Sequence, residues 1–205
     1  MHSFIMAMVV GASPLLDSEV SAGVGLLGAG YTAVGARLGD AFVTPTVGAR
    51  GVFGNFVIEG AAFTSSPVRG ARASFSGTAG LRIGLTGERW AVLAGVVGQY
   101  APDARPQTLL LPTLRGQVSF GKVGLSLGVF DHLGLIPAHL SIDFGPFSRG
   151  RFSVGWVAPI GLLASGDVSI ARGFGVRVTA FAFRLANTET AMVVVSGTFG
   201  PGGVR

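Results

Sequence analysis

The stretch from Ala71 to Leu85, ARASFSGTAGLRIGL, sorts its side chains by alternate positions. One set holds only apolar residues and glycine: Ala71, Ala73, Phe75, Gly77, Ala79, Leu81, Ile83 and Leu85. The other holds two arginines, Arg72 and Arg82, among serine, threonine and glycine. Successive side chains of a β-strand point to opposite faces, so this period of two predicts one long strand. Such a strand exceeds the ordinary length of about 5–6 residues and suits a tilted crossing of a bilayer.

The composition favours membrane-crossing strands over other classes. Charged residues make up 12% of the chain, against a usual ~25%, and mean hydropathy is +0.60. No apolar run reaches about 18 residues, so no transmembrane helix is predicted. The absence of cysteine excludes disulfides and thiolate-bound zinc. The arginines are scattered singly along the chain, whereas nucleic-acid sites cluster basic residues, so no nucleic-acid partner is expected.

Aromatic residues mark the ends of the predicted strands. In RWAVLAGVVGQY, Trp90 and Tyr100 share one face and lie ten positions apart. With a rise of ~3.3 Å per residue and a tilt of ~40°, they span roughly 25 Å along the membrane normal. This is about the height of the apolar band of an outer-membrane barrel. Trp90, Tyr100, Trp156 and Phe199 are therefore predicted to form aromatic girdles.

The breaks between alternating segments predict the topology. Short polar turns fall at residues 54–55, 86–89, 121–122, 148–150 and 172–175. Mostly longer connections fall between them, near residues 38–40, 64–70, 101–106, 131–137, 159–166 and 186–189. Alternate connections of an up-and-down barrel lie on opposite sides of the membrane. The sequence thus predicts an all-β, antiparallel up-and-down transmembrane β-barrel of about twelve strands, or ten if the weak segment DVSIAR is not a strand.

These segments, girdles and turns resemble a bacterial outer-membrane β-barrel protein. The last segment, TAMVVVSGTF, is similar to the C-terminal signal that such barrels present to their assembly machinery, although six residues, GPGGVR, follow Phe199 here. The resemblance implies a place in the bacterial outer membrane, with lipid and the barrel assembly machinery as partners. A soluble β-barrel or sandwich is the alternative, but the polar face has few of the lysines and glutamates that solubilise a surface.

The N-terminus resembles a secretory leader in part. Residues 4–16 are mostly apolar, and cleavage could follow Ala12 or Ala22, but a basic start is missing. An apolar first strand or a wrongly assigned start are the alternatives. The expected organisation is a leader or N-terminal segment over residues 1–19, the barrel over 20–199 and a tail over 200–205.

The polar faces of the strands predict the barrel lining. The predicted lumen residues are Arg50, Glu59, Arg72, Arg82, Arg115, Gln117, His139, Asp143, Arg151 and Arg177. With Asp167, six arginines face three carboxylates, which predicts a basic lumen. One hypothesis is a small passive pore or transport barrel that favours anions, since rings of arginine attract them. The other is a non-conducting structural or anchoring barrel filled by ion pairs, alone, as a homo-oligomer or in a larger envelope complex.

Two motifs suggest chemistry but have ordinary explanations. GVGLLG, residues 23–28, matches a dinucleotide-binding pattern without the strand–turn–helix context that the pattern requires. HLSID places His139, Ser141 and Asp143 on one strand face, which suggests a hydrolase, but catalytic triads normally converge from separate elements. The sequence therefore predicts no enzyme activity, no cofactor and no metal site.

Overall fold

The chain folds into a closed barrel in which every strand pairs antiparallel with its neighbours along the sequence, and β1 closes against β12. The computed structural model describes residues 16, 18–31, 41–67, 76–102, 105–131, 136–147, 150–185 and 188–200. The strands are β1 Glu19–Tyr31, β2 Ala41–Phe53, β3 Phe56–Pro67, β4 Ser76–Thr86, β5 Trp90–Tyr100, β6 Thr108–Phe120, β7 Val123–Phe130, β8 Ile136–Phe147, β9 Gly150–Val157, β10 Ile160–Ala171, β11 Phe174–Leu185 and β12 Thr188–Phe199. The prediction of twelve strands is confirmed. Among the described residues, no helix is long and apolar enough to span a membrane.

Two ends of the barrel differ in their connections. The short turns, including Gly54–Asn55 and Gly121–Lys122, share one end with the start of β1 and the finish of β12. We call this the short-turn end and the opposite end the loop end. Gly54, Gly121 and Gly173 have φ of +62°, +75° and +77°, a conformation that favours glycine in tight hairpin turns.

One predicted connection is wrong. Residues 159–166 were expected to form a longer loop, but β10 already begins at Ile160, so only Ala158 and Pro159 join β9 to β10. Leu162 is 69% exposed and Leu163 is 3% exposed, which is the alternation of a strand. The apolar residues and glycine of this stretch masked that alternation in the sequence.

The outer surface of the barrel is apolar, as the opening stretch predicts. Leu81, Ile83 and Leu85 are 58%, 53% and 52% exposed, whereas Arg82 between them is 8% exposed. Residues 71–75 lie outside the described residues, and β4 begins at Ser76. Large apolar side chains are exposed on all twelve strands, which makes a continuous lipid-facing band.

The predicted girdle residues all lie on the outer surface. Trp90 and Tyr100 begin and end β5, and both are nearly half exposed, as are Trp156 and Phe199. Trp90 and Phe199 lie at the short-turn end, and Tyr100 and Trp156 lie toward the loop end. The short-turn girdle is also richer than predicted, with the exposed rings of Phe53, Phe56, Phe120 and Phe152.

Strand β1 begins at Glu19, one residue before the predicted barrel start. The Ser18 hydroxyl accepts a 2.9 Å hydrogen bond from the Val52 backbone N–H, and Leu16 is 5% exposed inside the barrel. Cleavage after Ala22 would remove all of these residues. Cleavage after Ala12, a site that lies outside the described residues, would keep them.

A positive charge on the outer surface is expected to destabilise the barrel according to its depth. We predict that Leu81→Arg, in the middle of β4, lowers the free energy of unfolding by about 3 kcal/mol, because the charge would lie near the bilayer midplane. Leu110→Arg, near the loop end of β6, is the matched control, because Leu110 is 69% exposed on the outer face, and its expected loss is about 1 kcal/mol or less. Urea unfolding from lipid vesicles measures both, and equal losses would contradict the assignment of the apolar band.

Candidate functional site

The barrel interior contains one large cavity at the short-turn end, which we call the vestibule. Its volume is about 930 Å³. Turn residues Glu88, Arg89, Gly121 and Gly173 line its mouth. Toward the loop end, its described lining stops near Phe63, Leu163, Phe181 and Met192. The vestibule therefore opens at the short-turn end and ends against these four side chains.

Nine of the ten predicted lumen residues line this vestibule: Arg50, Glu59, Arg82, Arg115, Gln117, His139, Asp143, Arg151 and Arg177. The tenth, Arg72, lies outside the described residues. The strand period brings these side chains inward, because each is flanked in sequence by positions that face lipid. Whether these side chains can attract a solute depends on the charged groups that they contact.

Some of these charged residues form a ladder of ion pairs across four neighbouring strands. Glu19 on β1 lies opposite Arg50 on β2, Arg50 opposite Glu59 on β3, and Glu59 opposite Arg82 on β4. Opposite charges on directly opposed residues attract each other across a sheet. The three ion pairs have N–O distances of 3.3, 3.7 and 3.2 Å.

A second ladder lies on β9 to β11 and joins the first. Asp167 on β10 lies opposite both Arg151 and Arg177. Arg177 donates to Asp167 at 2.6 Å and reaches Glu19 with two bonds of 2.6 and 2.8 Å. The ladders thus form one continuous ion-pair network, which we call the charge belt.

The charge belt continues on the opposite wall. Arg82 also donates to Asp131 at 2.6 Å, and Asp131 lies 3.9 Å from His139 Nε2. Arg115 approaches Glu59 at 3.9 Å. The belt therefore links residues from most of the strands around the vestibule.

The predicted excess of positive charge is wrong for the described lining. Six arginines and six carboxylates line the vestibule: Arg50, Arg82, Arg89, Arg115, Arg151 and Arg177, with Glu19, Glu59, Glu88, Asp131, Asp143 and Asp167. The sequence-based count missed Glu19, which was placed before the barrel, and Asp131, which was placed in a loop. Arg50, Arg82 and Arg177 are paired with carboxylates rather than presented to a path.

Only the strand period could have revealed Glu19 from the sequence. Glu19 shares its face with Ser21 and Gly23, so extending the alternation by one residue includes it. Asp131 directly follows β7, forms an isolated backbone bridge to Ile136 and is 3% exposed. No local pattern in the sequence indicates that bridge.

Buried side chains fill the loop half of the barrel, and we call this set of side chains the closing layer. On the β8–β12 wall, Ile136, Val157, Leu163, Phe181 and Met192 pack together and are at most 5% exposed. On the facing wall, the buried side chains are Thr44, Ser65, Thr78, Val97 and Thr113. This corrects the expectation of a polar lumen, because Phe181 turns inward on the same face as Arg177.

The residues of the hydrolase hypothesis do not form a triad. Asp143 accepts a hydrogen bond from Ser126, on β7, rather than orienting His139. The carboxylate near His139 is Asp131. No group of three or more His, Cys, Asp or Glu side chains that could hold a metal occurs in the described part of the chain.

Solved structures of similar shape are outer-membrane barrels. Outer membrane phospholipase A from Escherichia coli shares 11% identity, with a TM-score of 0.48 over 94% of this chain and 93% of that one. The calcium-bound phospholipase dimer from Salmonella typhi shares 12%, with a TM-score of 0.49 over 97% of each chain. Neisserial surface protein A shares 9%, with a TM-score of 0.37 over 89% of this chain and 96% of that one.

No protein-family model matches the sequence, and no curated protein matches it closely enough to be a relative. The architecture therefore rests on the molecule itself. Its twelve antiparallel strands close without an edge, and its lipid-facing band lies between aromatic girdles. These are the features with which strands cross an outer membrane. The chain is an outer-membrane β-barrel, and the bacterial outer membrane is its location.

Proposed function

We propose that the chain is a non-conducting barrel of the Gram-negative envelope whose interior is a blind vestibule open at the short-turn end. The closing layer supports this proposal most directly. Its side chains come from both walls of the barrel and are buried, so the described interior of the loop half has little room for a hydrated ion. Short turns lie on the periplasmic side of outer-membrane barrels, so the vestibule faces the periplasm.

The charge belt supports the same proposal. An anion path needs arginines whose charge is available to the passing ion. Here Arg177 is held by Glu19 and Asp167 at 2.6–2.8 Å, and Arg82 is held by Asp131 at 2.6 Å. Such pairs fix the shape of the interior rather than attract a solute.

A passive pore is the second candidate, and the vestibule favours it. A cavity of about 930 Å³ already leads inward from the short-turn end, so displacing the closing layer would complete a channel. The proposed role does not include catalysis, because Asp143 is engaged by Ser126 rather than by His139. Insertion by the barrel assembly machinery is also proposed, since β12 alternates and ends at the exposed Phe199.

Planar-bilayer recording tests the choice between the two candidates. Folded protein, verified by its heat-shifted mobility on a gel, should give no steady conductance above the bilayer leak under a KCl gradient. Stable current steps would overturn the proposal and support a pore. A reversal potential near the chloride equilibrium potential would then support an anion-selective pore. A reversal potential near zero would support a pore without charge selectivity, as expected from the balanced charges of the lining.

A further inference from the structure

The mouth of the vestibule carries a cluster of exposed basic residues. Arg89 and Arg151 line the mouth, and Lys122 and Arg172 occupy the neighbouring short turns. All four are exposed. Glu88 is the exposed carboxylate beside them in the part of the chain that the structure describes. Positive charge around the opening of a low-dielectric cavity raises the local concentration of anions.

Of the two arginines that share Asp167, Arg151 is the more weakly paired. Its guanidinium lies 3.7 Å from Asp167, but Asp167 already accepts a 2.6 Å bond from Arg177 on the same oxygen. The Arg151 side chain is 53% exposed, against 25% for Arg177 and 11% for Arg50. Its donors therefore remain accessible from the vestibule.

The space beside Arg151 can accept a ligand. Ser153, the next inward residue of β9, lines the vestibule and offers a hydroxyl. A guanidinium, a hydroxyl and nearby cations form the donor set that binds phosphate groups.

We propose that Arg151, with Ser153 beside it and the other exposed cations of the mouth around it, is an anion-binding site for small molecules that carry phosphate groups and at least two negative charges. A second charge strengthens binding, because the ligand then meets both the Arg151 guanidinium and the positive potential of the basic mouth. The phosphate group can belong to a soluble periplasmic compound or to a phospholipid headgroup at the rim. The site goes beyond the proposed function, because binding at the mouth does not depend on whether the barrel conducts.

Calorimetric titration with inorganic pyrophosphate, in a zwitterionic detergent at low salt, tests the site. We expect one-to-one binding that weakens as NaCl increases, and Arg151→Gln should weaken it about tenfold. Arg184→Gln is the matched control, because Arg184 lies at the loop end with a side chain that is 49% exposed. It should bind as the wild type does. Heat-shifted mobility confirms that each variant is folded.

A second experiment, with lipid, distinguishes a phospholipid headgroup from a soluble compound as the source of the phosphate group. Nanodiscs of phosphatidylcholine with phosphatidylglycerol are analysed by native mass spectrometry, which counts retained phosphatidylglycerol. Retention that Arg151→Gln abolishes would support a headgroup in the site, and pyrophosphate binding without such retention would support a soluble ligand. Absence of both would overturn the proposal. Equal losses of pyrophosphate affinity in Arg151→Gln and Arg184→Gln would also overturn it. So would the absence of pyrophosphate binding together with lipid retention that is lost on substitution of Lys122 and Arg172 but not of Arg151.

Discussion

Replacing Phe181 and Met192 together by serine is expected to make the barrel conduct ions. Both side chains belong to the closing layer and are 5% and 3% exposed. Serine removes most of their volume and adds hydroxyls, so water can enter above the vestibule and complete a path. We expect conductance about tenfold or more above the wild-type leak, with reversal near zero because the lining charges are balanced.

Leu93→Ser is the matched control for this variant. Leu93 is 1% exposed and faces inward, but it packs with Val57 and Ala91 nearer the short-turn end, outside the closing layer. It should therefore cost stability without raising the conductance. If both variants conduct, general loosening explains the current. If neither conducts although both are folded, Phe181 and Met192 do not close the path.

Glu19→Gln is expected to cause the largest loss of stability among substitutions in the charge belt. Glu19 makes two bonds to Arg177 and one to Arg50, and its side chain is only 15% exposed. Glutamine keeps the shape but removes the charge, which leaves two guanidiniums undercompensated. Breaking a buried pair costs about 3–5 kcal/mol, and we expect the lower end, about 3 kcal/mol, because the vestibule admits water.

Urea unfolding from lipid vesicles measures this loss, and Glu189→Gln supplies the comparison. Glu189 pairs with Arg184 at 3.3 Å, but the two side chains are 55% and 49% exposed. Solvent screens such a pair, so its removal should cost about 1 kcal/mol or less. The double variant Glu19→Gln with Arg177→Gln should lose less than the sum of the single losses. Equal effects of Glu19→Gln and Glu189→Gln would contradict the structural role of the belt.

The alternation of the sequence predicted the architecture because lipid and lumen sort side chains by a local rule. Leu81 and Arg82 are neighbours with opposite environments, and the sequence alone separates them. The strand count and the girdle positions follow from the same local rule. Both could therefore be predicted without any knowledge of distant contacts.

The state of the interior depends on contacts that no local pattern records. Arg82 meets Asp131, 49 positions later, and Arg177 meets Glu19, 158 positions earlier. The inward turn of Phe181 was ambiguous because it shares a face with Arg177, and an apolar residue on a lumen face breaks the local rule. Whether the barrel is open or filled therefore needed the three-dimensional arrangement.

The reach of Arg177 to Glu19 has a consequence for how the barrel is assembled. Arg177 lies on β11 and Glu19 on β1, so their bonds pass over β12 and span the seam at which the sheet closes on itself. Before that seam forms, Glu19 can still pair with Arg50 and Arg177 with Asp167, but the two bonds between Arg177 and Glu19 are missing. These bonds thus favour the closed barrel over an inserted sheet in which β1 and β12 have not yet paired.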